Sequence, residues 1–208
     1  MTLRLVLASQ SPARLTLLRN AGFAPEAVVS GVDEDAFDAA DPAGLALVLA
    51  QAKARTVAER ISHASTERTL VIGCDSVLDL DGVAYGKPSD AQDAITRWKS
   101  MRGHEGVLVT GHCLIDSGAG APQEVSEAAR TTVRFADLSD AEIEAYVGTG
   151  EPLYVAGAFT LDGIGGPFVD SIEGDPSNVI GLSLPLLRRL LGRLGVAVSE
   201  LWADPPNG

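Results

Sequence analysis

Acidic and cationic side chains follow short apolar runs in this chain, which is the pattern of a metal and phosphate site. The stretch LVIGCDSVLDLDGVAYGKP (residues 70–88) places Asp75 near one end and Lys87 near the other. A carboxylate suits a hard divalent cation, and an ammonium group suits a phosphate oxygen. If both side chains face one cleft, this stretch binds a metal ion and a phosphate group.

A strand and a hairpin are expected to position these two side chains. Residues 70–72 form an apolar run typical of a buried strand, and Gly73 is expected to end it, which places Asp75 at the carboxyl edge of the sheet. Open α/β sheets usually bind ligands at that edge. Residues 77–84 predict a hairpin turning on an Asp-Gly pair, and Gly86-Lys87-Pro88 closes it.

The N-terminal segment predicts a strand, a loop and a helix. Residues 3–8 have the pattern of a strand, and an amphipathic helix is expected to begin at Pro12 with Ser11 as its N-cap. The free N–H groups at the start of that helix point toward the loop Ser9 to Ser11. Anion binding and simple helix capping are equally consistent with this loop.

The next segment predicts a second strand over residues 26–32 and a helix from Asp41-Pro42 to Ser62. Glu34 belongs to a cluster of three acids between them, and such clusters are usually solvated. Lys53 lies in the middle of the helix, where a lysine is usually a surface charge. Taken alone, neither residue predicts a site.

Beyond Pro88 the chain predicts alternating helices and strands around one irregular loop. The predicted elements are a helix capped by Ser89 and Gln92 and ending near Met101, strands 107–115 and 129–135, a helix capped by Ser139, a strand 168–172 and a helix 183–194. The glycine-rich residues 148–166 carry Asp162, and long loops of this kind are often functional.

Composition bounds the class of protein. A chain of 208 residues with 46% hydrophobic content is expected to form one α/β domain over residues 1–203, followed by a tail over 204–208. The net charge of −12 argues against a general nucleic-acid binder. No apolar run is long enough for a membrane span or a secretory signal, so a cytoplasmic location is expected. Cys74 and Cys113 are expected to be buried free thiols.

Several known motifs are absent, including the P-loop, the GxGxxG loop, the GxSxG elbow and HExxH. His63, His104 and His112 are too scattered for a zinc site and are expected to be structural or surface histidines.

Three motifs in order resemble the Maf family of nucleoside triphosphate pyrophosphatases. LASQSPARLTLL resembles the family's opening Ser-x-Ser-Pro-Arg-Arg pattern, GCDSV followed by YGKP its central motifs, and TGEPLYVAGAFTLDGIGGPFVDSIEGDPSNVIGLSLPLL its C-terminal signature. The resemblance spans nearly the whole chain.

The resemblance implies an elongated, two-lobed α/β fold whose mixed sheet is flanked by helices, similar to the inosine triphosphate pyrophosphatases, with the nucleotide in a central cleft. It also implies hydrolysis of a nucleoside triphosphate to the monophosphate and pyrophosphate, a divalent cation (Mg²⁺ or Mn²⁺), and a homodimer. Matched to the family's motifs, Ser9, Ser11 and Arg14 are expected to bind phosphate. Glu34 and Asp75 are expected to bind the metal. Asp75, Lys53 and Lys87 are expected to be catalytic.

Some positions depart from the family pattern. Ala13 replaces the first arginine of the opening motif, and Gly106 replaces the histidine of a central motif. Val155 and Asp162 stand where many members have Lys and Gln or Glu. These last positions lie near the family's substrate pocket, so Asp162 is a candidate for contacting the base or the metal, with loop capping as the alternative. Ala13 and Gly106 motivate a rival hypothesis, a nucleotide-binding regulator of cell division with little catalysis.

Overall fold

The chain folds around two long antiparallel strands, β3 and β5. The computed structural model describes residues 3–62, 68–118 and 121–203. The strands are β1 Arg4–Leu7, β2 Glu26–Ala27, β3 Thr69–Leu80, β4 Val83–Tyr85, β5 Glu105–Asp116, β6 Gln123–Phe135 and β7 Val169–Glu173. The helices are α1 Pro12–Asn20, α2 Pro42–Ser62, α3 Ala91–Met101, α4 Asp140–Gly148, α5 Pro176–Ile180 and α6 Leu184–Arg193.

These strands form one mixed sheet in the order β2-β1-β3-β5-β6-β7, with β4 also paired to β3. Strand β1 is parallel to β2 and β3, and the other pairs are antiparallel. The predicted mixed α/β fold with flanking helices is confirmed. The helices in the described ranges include none that is long and apolar enough to cross a membrane.

Alternation along the strands directs side chains to opposite layers. On one face, Val6 and Val71 pack with Ala50 and Ala54 of α2. On the other face, leucines of β1 and β3 pack against α1 and α6. A separate cluster at the far end of the sheet surrounds Trp98, which makes edge-on ring contacts with its aromatic neighbours. The Maf-like single domain over 1–203 stays a prediction, and its tail over 204–208 and His63 lie outside the described residues.

Three predicted elements need correction. Gly73 does not end a strand, because β3 continues to Leu80. The strand predicted over 26–32 is limited to Glu26–Ala27, because β1 ends at Leu7. Beyond Val28, the carbonyls of Val29 and Ser30 accept from the Arg60 side chain instead of from a strand. Helix α3 is capped by Asp90, whose side chain accepts from Asp93 N at 2.8 Å, and not by Ser89 with Gln92.

Two predictions about cysteine and histidine side chains are confirmed. Cys74 and Cys113 are buried free thiols, as predicted. His112 is a structural histidine: its Nδ1 donates to Thr110 O (3.0 Å) and its Nε2 accepts from Ser183 N (2.8 Å), the N-cap of α6. Burial lowers the pKa of His112 to about 4.

The His112→Gln substitution is expected to flatten the acid dependence of stability. Because the folded pKa lies below the ordinary value of 6.5, the unfolded chain binds a proton that the folded chain excludes. The stability that neutral His112 contributes is therefore fully present above pH 6.5 and is lost as the pH falls toward about 4. Between about pH 7 and pH 4.5 the wild type should lose about 2–3 kcal/mol more than the variant in urea unfolding. Parallel losses in the two proteins would contradict this role.

Candidate functional site

Strand β3 has a gap along one edge. Its pairing with β1 ends at Ile72, and its pairing with β4 begins at Leu78. Strand β5 covers the opposite edge from Leu70 to Asp79, so β1 and β4 lie on the same side. Residues 73–77 therefore line an opening in the sheet, with Asp75 at its centre. This opening takes the place of the strand end that the sequence predicted.

Two glycines bring helix α2 against this part of the sheet. A Cβ atom on Gly73 would lie 2.2 Å from Ala50 O, and one on Gly111, the partner of Asp75 in β5, would lie 2.2 Å from Ala46 O. No larger residue fits at either position without moving the helix backbone. The close approach brings the next turn of α2, with Lys53, over Asp75.

Lys53 joins two carboxylates that are far apart in sequence. Its Nζ contacts Asp75 Oδ1 and lies 2.7 Å from Glu34 Oε1. Lys53 is only 7% exposed, so the expectation of a surface lysine in the middle of a helix is wrong. The expectation that Glu34 is simply solvated is also wrong, because its carboxylate pairs with the buried Lys53 ammonium. The Glu34–Lys53–Asp75 cluster is the centre of the candidate site.

The two carboxyls of this cluster have different electrostatic environments. Burial raises the pKa of Asp75, and the positive charges of Lys53 and Arg14 oppose that rise. Partial burial also raises the pKa of Glu34, but the hydrogen bond and charge of Lys53, with Lys87 and Arg14, bring it below its ordinary value. Asp75 is therefore the better proton acceptor, and Glu34 stays charged.

The predicted phosphate loop places Ser9 and Ser11 at the start of α1. Ser11 is the N-cap, and its Oγ accepts from Arg14 N at 3.4 Å. Its own N donates to Ser9 Oγ at 3.1 Å. The capping role of Ser11 is confirmed, and anion binding by this loop remains a prediction.

Arg14 fastens this loop to β3 and to the turn before α6. Its Nε donates to Gly181 O (2.7 Å), its Nη1 to Ser9 Oγ (3.3 Å) and Cys74 O (2.9 Å), and its Nη2 to Ser76 Oγ (2.9 Å). A guanidinium has five N–H donors, so these four bonds leave one for a phosphate oxygen. Arg14 therefore acts as a fixed charge with little freedom to follow a ligand.

A buried polar network behind Arg14 was not predicted. Ser76 Oγ and Thr110 Oγ1 lie 2.9 Å apart, and Thr110 Oγ1 donates to Asn178 O at 3.2 Å. Asn178 Nδ2 donates to Leu108 O and Thr131 Oγ1, both at 3.1 Å. The available signal was the polar residues inside otherwise apolar strands, which need partners when buried.

Lys87 follows a hairpin, β3–β4, whose two strands are joined by a two-residue turn. Asp81 (φ 52°) and Gly82 (φ 84°) both adopt the left-handed conformation, so the predicted Asp-Gly turn is confirmed. The Lys87 side chain is exposed. Its positive charge is one of the influences that lower the pKa of Glu34.

Asp162 is exposed, and it makes no hydrogen bond or ion pair with any residue that the structure describes. The loop that carries it is organised by Glu151, which the sequence did not single out. Glu151 accepts from Thr160 Oγ1 (2.5 Å), Tyr146 Oη (3.1 Å), Ile164 N (3.0 Å) and Gly165 N (3.1 Å). The structure therefore does not bring Asp162 into contact with the Glu34–Lys53–Asp75 cluster.

The donor set of the cluster fits a divalent cation. Glu34 and Asp75 already converge on one positive charge, the Lys53 ammonium. Across residues 3–62, 68–118 and 121–203, no group of three or more His, Cys, Asp or Glu side chains could hold a metal ion by itself. Mg²⁺ is commonly held by one or two carboxylates, with waters and substrate phosphates completing its coordination.

A family model described as "Maf-like protein" matches residues 4–194. The chain belongs to the Maf family. Among its Maf relatives, a protein of Streptomyces coelicolor named "Nucleoside triphosphate pyrophosphatase" is 63% identical over 200 residues, which cover 96% of this chain and 95% of the relative. A protein of the same name from Salinispora tropica is 59% identical, covering 97% of this chain and 88% of the relative.

The Maf chain also overlaps loosely with a solved "Nucleoside-triphosphatase / dITP/XTP pyrophosphatase" from Mycobacterium abscessus. The TM-score is 0.37 at 19% identity, covering 65% of this chain and 75% of that one. An overlap this loose supports no conclusion about either protein's function.

Proposed function

We propose that this Maf protein hydrolyses a nucleoside triphosphate to the monophosphate and pyrophosphate. The observation that supports this most strongly is the Glu34–Lys53–Asp75 cluster in the gap of β3, in a chain whose relatives carry the name nucleoside triphosphate pyrophosphatase. Two acids and several cations around one opening suit a substrate that carries both phosphate charge and a divalent cation. Ala13 and Gly106 motivate the alternative of a division regulator without catalysis, and no contact among the described residues adds support to it.

In this proposal, Glu34 and Asp75 would hold Mg²⁺ or Mn²⁺. Such a cation would supply charge neutralisation for the phosphates and would make the attacking water more acidic. Asp75 orients the attacking water and accepts its proton.

The reaction forms a bond between the water oxygen and the α-phosphorus and breaks the bond from that phosphorus to the bridging oxygen. The departing pyrophosphate takes the electron pair of the broken bond. Lys53 and Lys87 neutralise the charge that develops on it, with the remaining N–H of Arg14. Ser9 and Ser11 bind a phosphate oxygen at the start of α1, and Asp162, which does not contact the Glu34–Lys53–Asp75 cluster, contacts the base.

Three broader expectations accompany the proposal. The family resemblance implies a homodimer, and the sequence predicts a cytoplasmic protein with a nucleoside triphosphate, not nucleic acid, as its partner. They remain predictions.

A panel of standard and modified nucleoside triphosphates, assayed with Mg²⁺ or Mn²⁺, tests the proposal. At least one nucleotide should yield pyrophosphate and the monophosphate in equal amounts. Orthophosphate as the product would indicate a different phosphohydrolase. Nucleotide binding by calorimetry without turnover would favour the regulator, and neither product from any nucleotide would contradict the proposed activity.

A further inference from the structure

The turn that carries Lys87 is held at the backbone on both sides of the lysine. Arg97 Nη1 donates to Gly86 O at 2.7 Å, and Arg97 Nη2 donates to Lys87 O at 3.4 Å. Beyond the buried Pro88, Ser89 N donates to Asp93 Oδ2 at 2.9 Å. One face of α3 therefore fixes three backbone positions around a single lysine.

Arg97 is itself held firmly. It forms a two-point ion pair with Asp93, with Nε 2.9 Å from Oδ1 and Nη2 2.7 Å from Oδ2. Its guanidinium carbon lies 5.2 Å from the centre of the Tyr85 ring, and its side chain is only 14% exposed. A planar guanidinium with paired contacts of this kind has one orientation.

The Gly86 carbonyl also accepts a second hydrogen bond, from a backbone N–H. Gly157 N donates to Gly86 O at 3.1 Å. Gly157 (φ 70°) and Ala158 (φ 57°) are both left-handed, a conformation that is strained for alanine. Ala158 O accepts from the buried Trp98 Nε1 at 2.7 Å, so α3 also fixes this second support. Strain of this kind persists only where the surroundings enforce it.

The exposed Lys87 needs such a support. A lysine side chain is long and flexible, so any movement of its backbone adds to the region over which its ammonium ranges, and a fixed backbone narrows that region. Charge that is already in place when a transition state forms stabilises it more than charge that must move there.

We propose that Arg97 is a positioning residue for Lys87. Through the Gly86 and Lys87 carbonyls it holds the turn so that the Lys87 ammonium meets the triphosphate beside the Glu34–Lys53–Asp75 cluster. Arg97 itself contacts no substrate. This inference rests on the proposed function of the site.

A double-mutant cycle separates positioning from simple support of α3. Turnover is measured for the wild type, Arg97→Gln, Lys87→Gln and the double variant, on a nucleotide that the wild type hydrolyses. Arg97→Gln should lower kcat on the order of tenfold, because small displacements of a catalytic group are costly. In the Lys87→Gln background the same change should lower kcat by less than about twofold, since the group that it positions is gone. Equal losses in both backgrounds, or no loss in either, would overturn the inference.

Arg102→Gln is the matched control. Arg102 follows α3, donates to Leu138 O at 3.0 Å and pairs with Asp140, but does not contact the Lys87 turn. Its kcat should stay within about twofold of the wild type. Unfolding midpoints of all variants show how much protein is folded in each assay.

Failure of the proposed function gives a different result. If the wild type hydrolyses no nucleotide, the same cycle is measured on the dissociation constant of a nucleoside triphosphate by calorimetry. If Arg97→Gln weakens binding in the wild-type background but has no effect in the Lys87→Gln background, the positioning role holds without catalysis. Additive effects on binding, or no binding by the wild type, would remove the positioning role as well.

Discussion

The Asp75→Asn variant is expected to lose turnover on the order of 10³-fold while it stays folded, which is the range for removal of a general base. Asn has the shape of Asp but can neither accept the proton of the attacking water nor supply a negative charge to a cation. The buried Lys53 keeps its contact with Glu34, so its charge remains paired. Pyrophosphate release under saturating nucleotide, with the circular dichroism spectrum as the measure of folding, tests this expectation.

Asp79→Asn provides the matched control for that experiment. Asp79 lies four residues further along β3, on the same face, and its Oδ1 accepts from Gly82 N at 2.9 Å, a bond that Asn can also accept. Its turnover should stay within about threefold of the wild type. If Asp75→Asn retains wild-type turnover, Asp75 has no part in the reaction.

The Lys53→Met variant is expected to be less stable by about 3–5 kcal/mol near neutral pH, the cost of leaving a buried charge without its partner. Methionine fills a similar volume, so loss of the charge dominates. Asp75 would keep only the more distant Arg14 as compensation for its burial, and turnover should fall as well.

This loss of stability should depend on pH in a defined direction. Burial already raises the pKa of Asp75, and removing Lys53 raises it further. The folded variant then binds a proton that the unfolded chain releases above its ordinary pKa of about 4. The wild-type Asp75 pKa is itself raised, so this contribution to the difference between the two proteins is absent below that wild-type value and grows as the pH rises toward the higher folded pKa of the variant. The difference in unfolding free energy between the two proteins should be larger at about pH 7 than at about pH 4.5.

Lys99→Met is the matched control for the loss of a lysine. Lys99 is partly exposed on α3, and its Nζ lies 3.0 Å from Asp140 Oδ2. A surface ion pair contributes little, so this variant should unfold within about 1 kcal/mol of the wild type at both pH values. A Lys53→Met penalty that is small, or equal at both pH values, would show that Lys53 does not compensate a buried Asp75.

Local patterns predicted much of the fold. The caps Ser11 and Ser139 and the Asp81-Gly82 turn were confirmed, because each depends on neighbours within a few residues. The resemblance also pointed to Glu34, Lys53 and Asp75, which the structure brings into contact. Their roles in catalysis remain predictions until they are tested.

Features that depend on tertiary contacts were harder to predict. Gly73 resembles a strand end in the sequence, whereas it is needed for the close approach of α2. The same approach buries Lys53, which local pattern alone places on the surface. Arg97 was missed because its carbonyl contacts depend on how α3 meets the Lys87 turn, although its spacing from Asp93 is typical of a helical ion pair.

Turnover in water enriched in heavy oxygen tests the central claim most directly. If water attacks the α-phosphorus in the gap of β3, the heavy oxygen should appear in the nucleoside monophosphate, with none in the pyrophosphate. Mass spectrometry of both products after a single turnover separates these outcomes. Heavy oxygen in the pyrophosphate, or in released orthophosphate, would show attack at another phosphorus and contradict the proposed reaction.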